Sequence, residues 1–298
     1  IPLSGAMDRL ALAAANRLVG NDEGDAALEA VFMGPELRFA TDTVVAVSGA
    51  VLPPKLDGAP RPLWTSFAVK AGQVLGFDHL RAGARAYIAI AGGIDVPVVL
   101  GSRATYVLGA LGGFEGRALQ AGDALRLGTR RNAATPGASV PEALRPPVDG
   151  ATELRVVTGL YWHRLTDEAG TRFFAETWKV APEADRIGYR FRGGTPLAFQ
   201  PRQQPFGAGS DPSNIVDSCY PYGSIQVPGG TEPIVLHRDA VSGGGYFMLG
   251  TVISADMDRI GQLQPHAQVR FVAVDMAAAL AARHERSERL ERIRAAIG

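Results

Sequence analysis

The sequence predicts a mainly β chain made of two related β units. Short apolar, β-branched segments separated by Gly, Pro and Asp turns recur through both halves. Segments of the two halves also match in order and at a nearly constant offset. Gly34-Pro-Glu-Leu-Arg-Phe39 is echoed by Gly194-Thr-Pro-Leu-Ala-Phe199 at 160 residues, and Val69-Lys-Ala-Gly72 by Val227-Pro-Gly-Gly230 at 158. Ala86-Tyr87-Ile-Ala-Ile is echoed by Gly245-Tyr246-Phe-Met-Leu at 159. Between the halves lies a proline-rich stretch with no apolar period, which reads as a linker. The expected division is a first β domain over 1–130, a linker over 131–152, a second β domain over 153–275 and a C-terminal helix over 276–298.

Ser4 reads as the N-cap of a helix over 7–19, in which Met7, Leu10, Ala11, Ala14 and Leu18 recur at helical spacing and Gly20-Asn21 closes the run. Strands are expected over 28–32, 37–39, 44–48, 64–69, 73–76, 84–91 and 124–127. The segment 101–121 is longer than its counterpart in the second half and reads as a functional or interface loop. Beyond the linker, a strand is expected over 154–158 and a helix over 167–179, interrupted by Gly170. Further strands are expected over 190–199, 224–227, 234–236, 246–253 and 268–272. The alanine- and arginine-rich tail reads as a surface helix with a solvated basic side.

With 298 residues, 46% of them hydrophobic, the chain can bury two ordinary cores. Thirty basic residues balance thirty acidic ones, so there is no net field to select nucleic acid or an anionic membrane. Cys219 is the lone cysteine, which points to a reducing, cytoplasmic location. The chain opens at Ile1-Pro2 without a methionine, so a preceding leader is expected. The P-loop, H-E-x-x-H and G-x-S-x-G patterns are absent, as is the A-M-K-M-type tetrapeptide that carries covalent biotin. The five histidines lack ligand spacing, so no metal site is expected.

The chain centres on residues 233–260, where two apolar runs flank His237, Arg238, Asp239, Ser242 and the Gly243-Gly244-Gly245 run. The glycines read as a turn that lets backbone N–H groups approach a small ligand, and Tyr246 as the start of a buried strand. A hairpin loop without function is the plainer alternative. Asp239, Gln226 and Tyr246 are expected to line one pocket, with Asp239 and Tyr246 as the catalytic candidates. Arg186 and Arg190, from Asp185-Arg-Ile-Gly-Tyr-Arg190, would bind a carboxylate or carbamate there, since guanidinium groups suit bidentate contact with such oxygens. Gly244, Gly245, Arg103, Ser4 and Asp8 complete the candidate set. Against this stand ordinary roles: a surface ion pair for Arg186, a turn for Asp239, and helix-end duties for Ser4 and Asp8.

These motifs resemble a known family. The opening I-P-L-S-G-A-M-D-R-L, A-Y-I-A-I-A-G-G-I-D-V-P with V-L-G-S-R-A-T, D-R-I-G-Y-R, S-I-Q-V-P, G-G-Y and T-V-I-S-A-D are similar to the KipA or "allophanate hydrolase subunit 2" family. That family also covers the C subunit of 5-oxoprolinase and the carboxyltransferase region of urea carboxylase. The resemblance spans residues 1–271 and implies a pair of cyclophilin-like β-barrels, each with a short helix. It also implies a KipI-like companion (the B subunit of 5-oxoprolinase), a LamB/YcsF-type protein, and a small amide substrate. ATP would be handled by partner subunits, or biotin would arrive on a separate carrier. Members typically begin with an earlier glycine-rich strand, in keeping with a missing leader. Where many members read D-R-Q-T-T-G-G-Y, this chain reads Asp239-Ala-Val-Ser-Gly-Gly-Gly-Tyr246.

The expected function is one subunit of an ATP-dependent amidohydrolase that opens 5-oxoproline. The alternatives are a biotin-dependent carboxyltransferase acting on a urea-like amide and a non-catalytic regulatory scaffold.

Overall fold

The structure is a computed structural model and describes residues 1–298. It separates into two compact units, residues 4–149 with 287–298 and residues 150–286 with 1–3.

In the first unit, α1 (Arg9–Leu18) precedes β1 (Leu28–Val31), β2 (Leu37–Arg38), β3 (Thr43–Val51), β4 (Pro54–Leu56), β5 (Ala59–Pro60), β6 (Ser66–Val69), β7 (Val74–Phe77) and β8 (Ala82–Ile90). The strands form two four-stranded sheets, ordered β1-β8-β3-β6 and β2-β7-β4-β5. Val45, Val47 and Ile88 of the first sheet meet Leu56 and Leu75 of the second in one core. The other face of β3 and β8 receives α1 through Leu10, Ala14 and Leu18, packed with Val44, Ala46 and Tyr87.

Asp8 caps α1, accepting the Ala11 N–H at 2.9 Å. Ser4, expected as the cap, lies too far upstream and instead donates its hydroxyl to Thr105 O at 2.9 Å. Residues 124–127 make only an isolated bridge from Leu127 to Ile94 rather than a strand. Part of the stretch expected as a linker packs on this unit: Val140 is fully buried and donates its N–H to Trp64 O at 2.9 Å. Its prolines and short apolar content hide that docking from periodicity.

The second unit runs β9 (Thr152–Thr158), α2 (Asp167–Ala175), β10 (Trp178–Val180), β11 (Gly188–Arg192), β12 (Asn214–Cys219), β13 (Ser224–Gln226), β14 (Ile234–Leu236), β15 (Gly243–Tyr246), β16 (Met248–Val252), α3 (Met257–Ile260) and β17 (Gln268–Ala273). Seven strands close a barrel in the order β10-β11-β14-β13-β16-β9-β17, while β12 and β15 pair as a separate two-stranded ribbon. Tyr189, Val235 and Ile225 lie opposite one another and are almost wholly buried, which places them on the barrel's inner face. An aromatic cluster joins α2 to the barrel, with Phe173 stacked on Phe271 at 4.9 Å and the Trp178 indole N–H donating to Phe173 O at 3.1 Å.

Four expectations change here, the first being that the helix expected over 167–179 ends at Ala175, with Trp178 and Lys179 in β10. Gly170 lies inside α2 without interrupting it, and the Trp162 ring packs so close that an added Cβ there would lie 2.6 Å from it. The strand expected over 190–199 ends at Arg192. The three glycines form β15 rather than a turn.

The helix α4 (Met276–Ile297) closes the chain. It is less solvated than expected. Ile293 is fully buried in the core beside α1, and Arg294 pairs with Glu23 at 2.5 Å. Hydrogen bonds from Arg294 hold the Glu23 carboxyl below its ordinary value, against the opposing effect of burial.

Two outcomes follow from this packing. Ile293→Ala should lower stability by about 2–4 kcal/mol in urea unfolding, as removal of a buried aliphatic side chain does. Glu23→Gln should cost only ~0.5 kcal/mol at pH 7, because the pair is partly exposed. Since the folded-state pKa is depressed, that difference should persist above pH 4.5 and vanish as pH falls through the folded value. A gap that stays constant down to pH 2 would contradict the pairing.

Candidate functional site

Antiparallel pairing in the second unit puts four residues in one cross-strand row. Arg190 of β11 faces Ile234 of β14, Ile234 faces Gln226 of β13, and Gln226 faces Met248 of β16. Partners opposite one another share a face, and these alternate with the inward residues Tyr189, Val235 and Ile225. The row therefore lies on the barrel's outer face, yet Gln226 is 7% exposed and Met248 8%. Tyr220, directly after β12, supplies the cover: it packs with Leu236 and Met248, joined by Tyr161, Ile234 and Ala240.

Tyr220 also fixes the ribbon. Its hydroxyl accepts the Tyr246 N–H at 2.8 Å and lies 2.7 Å from Gly244 O and 2.8 Å from Tyr246 O. Burial raises the Tyr220 pKa, opposed by hydrogen bonds from the Tyr246 backbone and the Gln226 side chain. The phenol thus keeps its proton at neutral pH and can act as donor. The close fit explains the glycines. A Cβ on Gly244 would lie 3.2 Å from the Tyr220 ring, and one on Gly245 would lie 3.0 Å from Ile215 O. Tyr220, Gly244 and the backbone of Tyr246 therefore form one hydrogen-bonded group, with the Gln226 side chain beside the phenol. The Tyr246 side chain is 47% exposed and does not begin a buried strand.

Asp239 and Arg186 sit just beyond the ends of β14 and β11. The Asp239 N–H donates to Arg186 O at 2.9 Å, and the His237 N–H to Ile187 O at 2.9 Å. The Arg186 guanidinium grips the Asp239 carboxylate with Nε at 2.8 Å and Nη2 at 3.2 Å. Asp239 is 8% exposed, whereas the Arg186 side chain is 30% exposed, so the pair presents its cationic end to solvent. Arg190 goes elsewhere, pairing with Glu232 at 2.8 Å alongside Arg192. His237 Nε2 lies 3.1 Å from Met257 O, and Arg238 stacks over the Tyr222 ring at 4.4 Å. The structure contains no group of three His, Cys, Asp or Glu side chains that could hold a metal ion.

Ser4, Asp8 and Arg103 belong to the first unit. Arg103 donates to Val96 O, and Asp8 sits at a buried polar junction where its N–H meets the Tyr87 hydroxyl at 2.8 Å. That hydroxyl donates to Glu29 at 2.8 Å, and Arg85 lies 3.7 Å from the same carboxylate. Burial, with the nearby charges of Glu29 and Asp8, pushes the Tyr87 pKa well above its usual value. These contacts anchor the start of α1 to β1 and β8.

The candidates drawn from the sequence omit Tyr220. Its only signal there is a tyrosine in Cys-Tyr-Pro-Tyr directly before the Ser-Ile-Gln strand. A cleft of about 700 Å³ beside α2, lined by Trp162, Thr166, Phe174 and Gln200 among others, contains none of the candidate residues.

The family model "Carboxyltransferase domain, subdomain A and B" matches residues 1–273. Urea amidolyase of Saccharomyces cerevisiae is 35% identical over 279 residues, covering 91% of this chain and 15% of that protein. The C subunit of 5-oxoprolinase from Escherichia coli is 33% identical over 291 residues, covering 97% of this chain and 88% of that protein. The crystal structure of Kluyveromyces lactis urea carboxylase superposes with a TM-score of 0.92 at 32% identity, covering 98% of this chain and 27% of that one. The chain thus spans a small part of the urea enzymes and most of the bacterial protein.

Tyr220→Phe removes the hydroxyl while keeping the ring. It should cost ~1–3 kcal/mol by leaving a buried backbone group unsatisfied, and it should speed hydrogen exchange at the Tyr246 amide far more than at β16. Unchanged exchange at Tyr246 would show that the ribbon is held by other contacts.

Proposed function

The chain belongs to the carboxyltransferase-domain family, subdomains A and B, and on that premise we propose that it is one subunit of a hetero-oligomeric enzyme that activates a small amide with ATP. The substrate we assign is 5-oxoproline, opened by water across its ring amide to give glutamate. The observation that carries this reading is the buried Gln226 side chain, opposite Met248 and beside the glycine ribbon that Tyr220 holds. A primary amide offers both a donor and an acceptor to a lactam's C=O and N–H without adding charge.

The roles divide as follows. Gln226 binds the amide, Tyr220 holds the ribbon over it, Gly244 and Gly245 let the ribbon backbone approach it, and Tyr246 lines it. Arg186 binds the substrate carboxylate as a planar fork. Asp239 orients Arg186 rather than withdrawing a proton, since both its oxygens already accept from that guanidinium. Arg190 is held by Glu232 and supports the row from its edge. We assign ATP handling to partner subunits, a KipI-like companion and a LamB/YcsF-type protein, because this sequence carries no phosphate-binding loop.

A second reading has its own support: the TM-score of 0.92 with urea carboxylase favours carboxyl transfer to a urea-like amide, with biotin on a separate carrier. The same neutral amide contacts would serve it.

Co-expression with the two candidate partners, followed by assay of 5-oxoproline-dependent ATP hydrolysis, separates these readings. The complex should turn over and the isolated chain should not. Asp239→Asn in the complex should reduce turnover by about 10- to 100-fold through a misplaced Arg186, while the subunit still assembles. Turnover by the isolated chain would overturn the proposal. Urea-dependent activity with a biotin carboxylase, and none with 5-oxoproline, would select the second reading.

A further inference from the structure

Most arginines of the second unit are matched to acids: Arg155 to Asp256, Arg186 to Asp239, Arg190 and Arg192 to Glu232. Arg164 and Arg202 differ. Arg164 follows β9 in a short 3-10 turn, Trp162–Arg164, and Arg202 lies in the loop between β11 and β12. Both guanidinium groups converge on a single carbonyl oxygen, that of Asn214, Arg202 Nη2 at 3.1 Å and Arg164 Nη1 at 3.5 Å. Their remaining contacts are neutral. Arg202 also donates to the Gln204 side-chain oxygen, and Arg164 stacks on the Tyr161 ring at 4.8 Å. Arg202 Nε is buried and has no acceptor.

Two like charges held around one neutral oxygen repel each other at short range, and half-burial weakens the screening that would relieve them. Desolvation, with the Arg202 charge second, lowers the Arg164 pKa accordingly. A buried guanidinium N–H without an acceptor adds its own cost. An anion bound between the two guanidinium groups would offset both costs.

We propose that Arg164 and Arg202 form a binding site for a small oxyanion of the carboxylate or phosphate type. The two forks would grip its oxygens, with Arg202 Nε as one donor. The placement ties the site to the ribbon. Asn214 opens β12 opposite Tyr246, and Tyr161, on which Arg164 stacks, packs against Tyr220, Leu236 and Met248. An anion bound there would draw the start of the ribbon and Tyr161 together beside Gln226. The proposal does not depend on the reaction assigned above, because it concerns binding by this chain alone.

The test is calorimetric titration of the purified chain, at low ionic strength, with inorganic phosphate and separately with acetate. One saturable site is expected. Arg164→Gln with Arg202→Gln should weaken it by about tenfold or more, as loss of charge-assisted bonds requires. Arg270→Gln, a control on an exposed pair with Glu153 in the same unit, should leave it unchanged. Tighter binding of phosphate than acetate identifies a phosphate-bearing ligand, and the reverse identifies a carboxylate.

A second measurement does not need the double variant to fold. In the wild-type chain the Arg202 Nε–H resonance, assigned with Arg202→Lys, should shift as anion is added. Failure of both anions to bind the wild type, equal binding by a folded double variant, or an unmoved Arg202 signal at saturation would overturn the proposal.

Discussion

The candidate site depends on one phenol. The Tyr220 hydroxyl holds the backbone of Gly244 and Tyr246, and its ring packs with Met248, which lies opposite Gln226, so one side chain joins the ribbon to the row that carries the buried amide. Burial makes this possible by keeping the proton on oxygen, and the glycines make it possible by letting backbone come within contact of the ring. A side chain at Gly244 or Gly245 would crowd the Tyr220 ring or the Ile215 carbonyl and force these contacts to give by a few tenths of an ångström. Losing the proton from Tyr220 would set an anion against two carbonyls.

Charge is arranged around this neutral centre rather than in it. Arg186 and Asp239 stand beyond the ends of their strands, and Arg190 and Glu232 stand at the edge of the row. Burying an unpaired charge is costly, so a site lined by an amide and a phenol, with ion pairs at its margin, suits a small uncharged group whose ionic substituent points outward. A cyclic amide bearing a carboxylate fits that description, and urea fits the neutral half of it.

Much of the fold is legible in the residues alone. The apolar segments around Val45, Ile88 and Val235 specify strands, and the alanine-rich tail specifies α4. The repeat offset pairs Tyr87 with Tyr246, but Tyr87 is buried within β8 whereas Tyr246 is 47% exposed at the end of β15. The resemblance to the family is carried by motifs along both halves, and the family match over 1–273 bears it out. What escapes has physical reasons. Gly243-Gly244-Gly245 looks like a turn because its partner, β12, lies in a polar, proline-flanked stretch with no strand periodicity. Tyr220 escapes because its contacts are to backbone atoms 24 and 26 residues away, which no local pattern encodes. Arg190 groups with Asp239 through the Arg186 motif, but strand alternation places it opposite Ile234, where Glu232 takes it. Ile293 is hidden because α4 is nearly uniform in polarity around its axis, so one buried position does not stand out.

The most direct test of the account is hydrogen exchange of the assembled complex with and without 5-oxoproline, read at single-residue resolution over 213–250. If the amide binds beneath the ribbon, exchange at Gly244, Gly245 and Tyr246 should slow on addition of substrate, together with the Gln226 side-chain amide. Protection that appears only outside these residues, with the ribbon unchanged at saturating substrate, would contradict it.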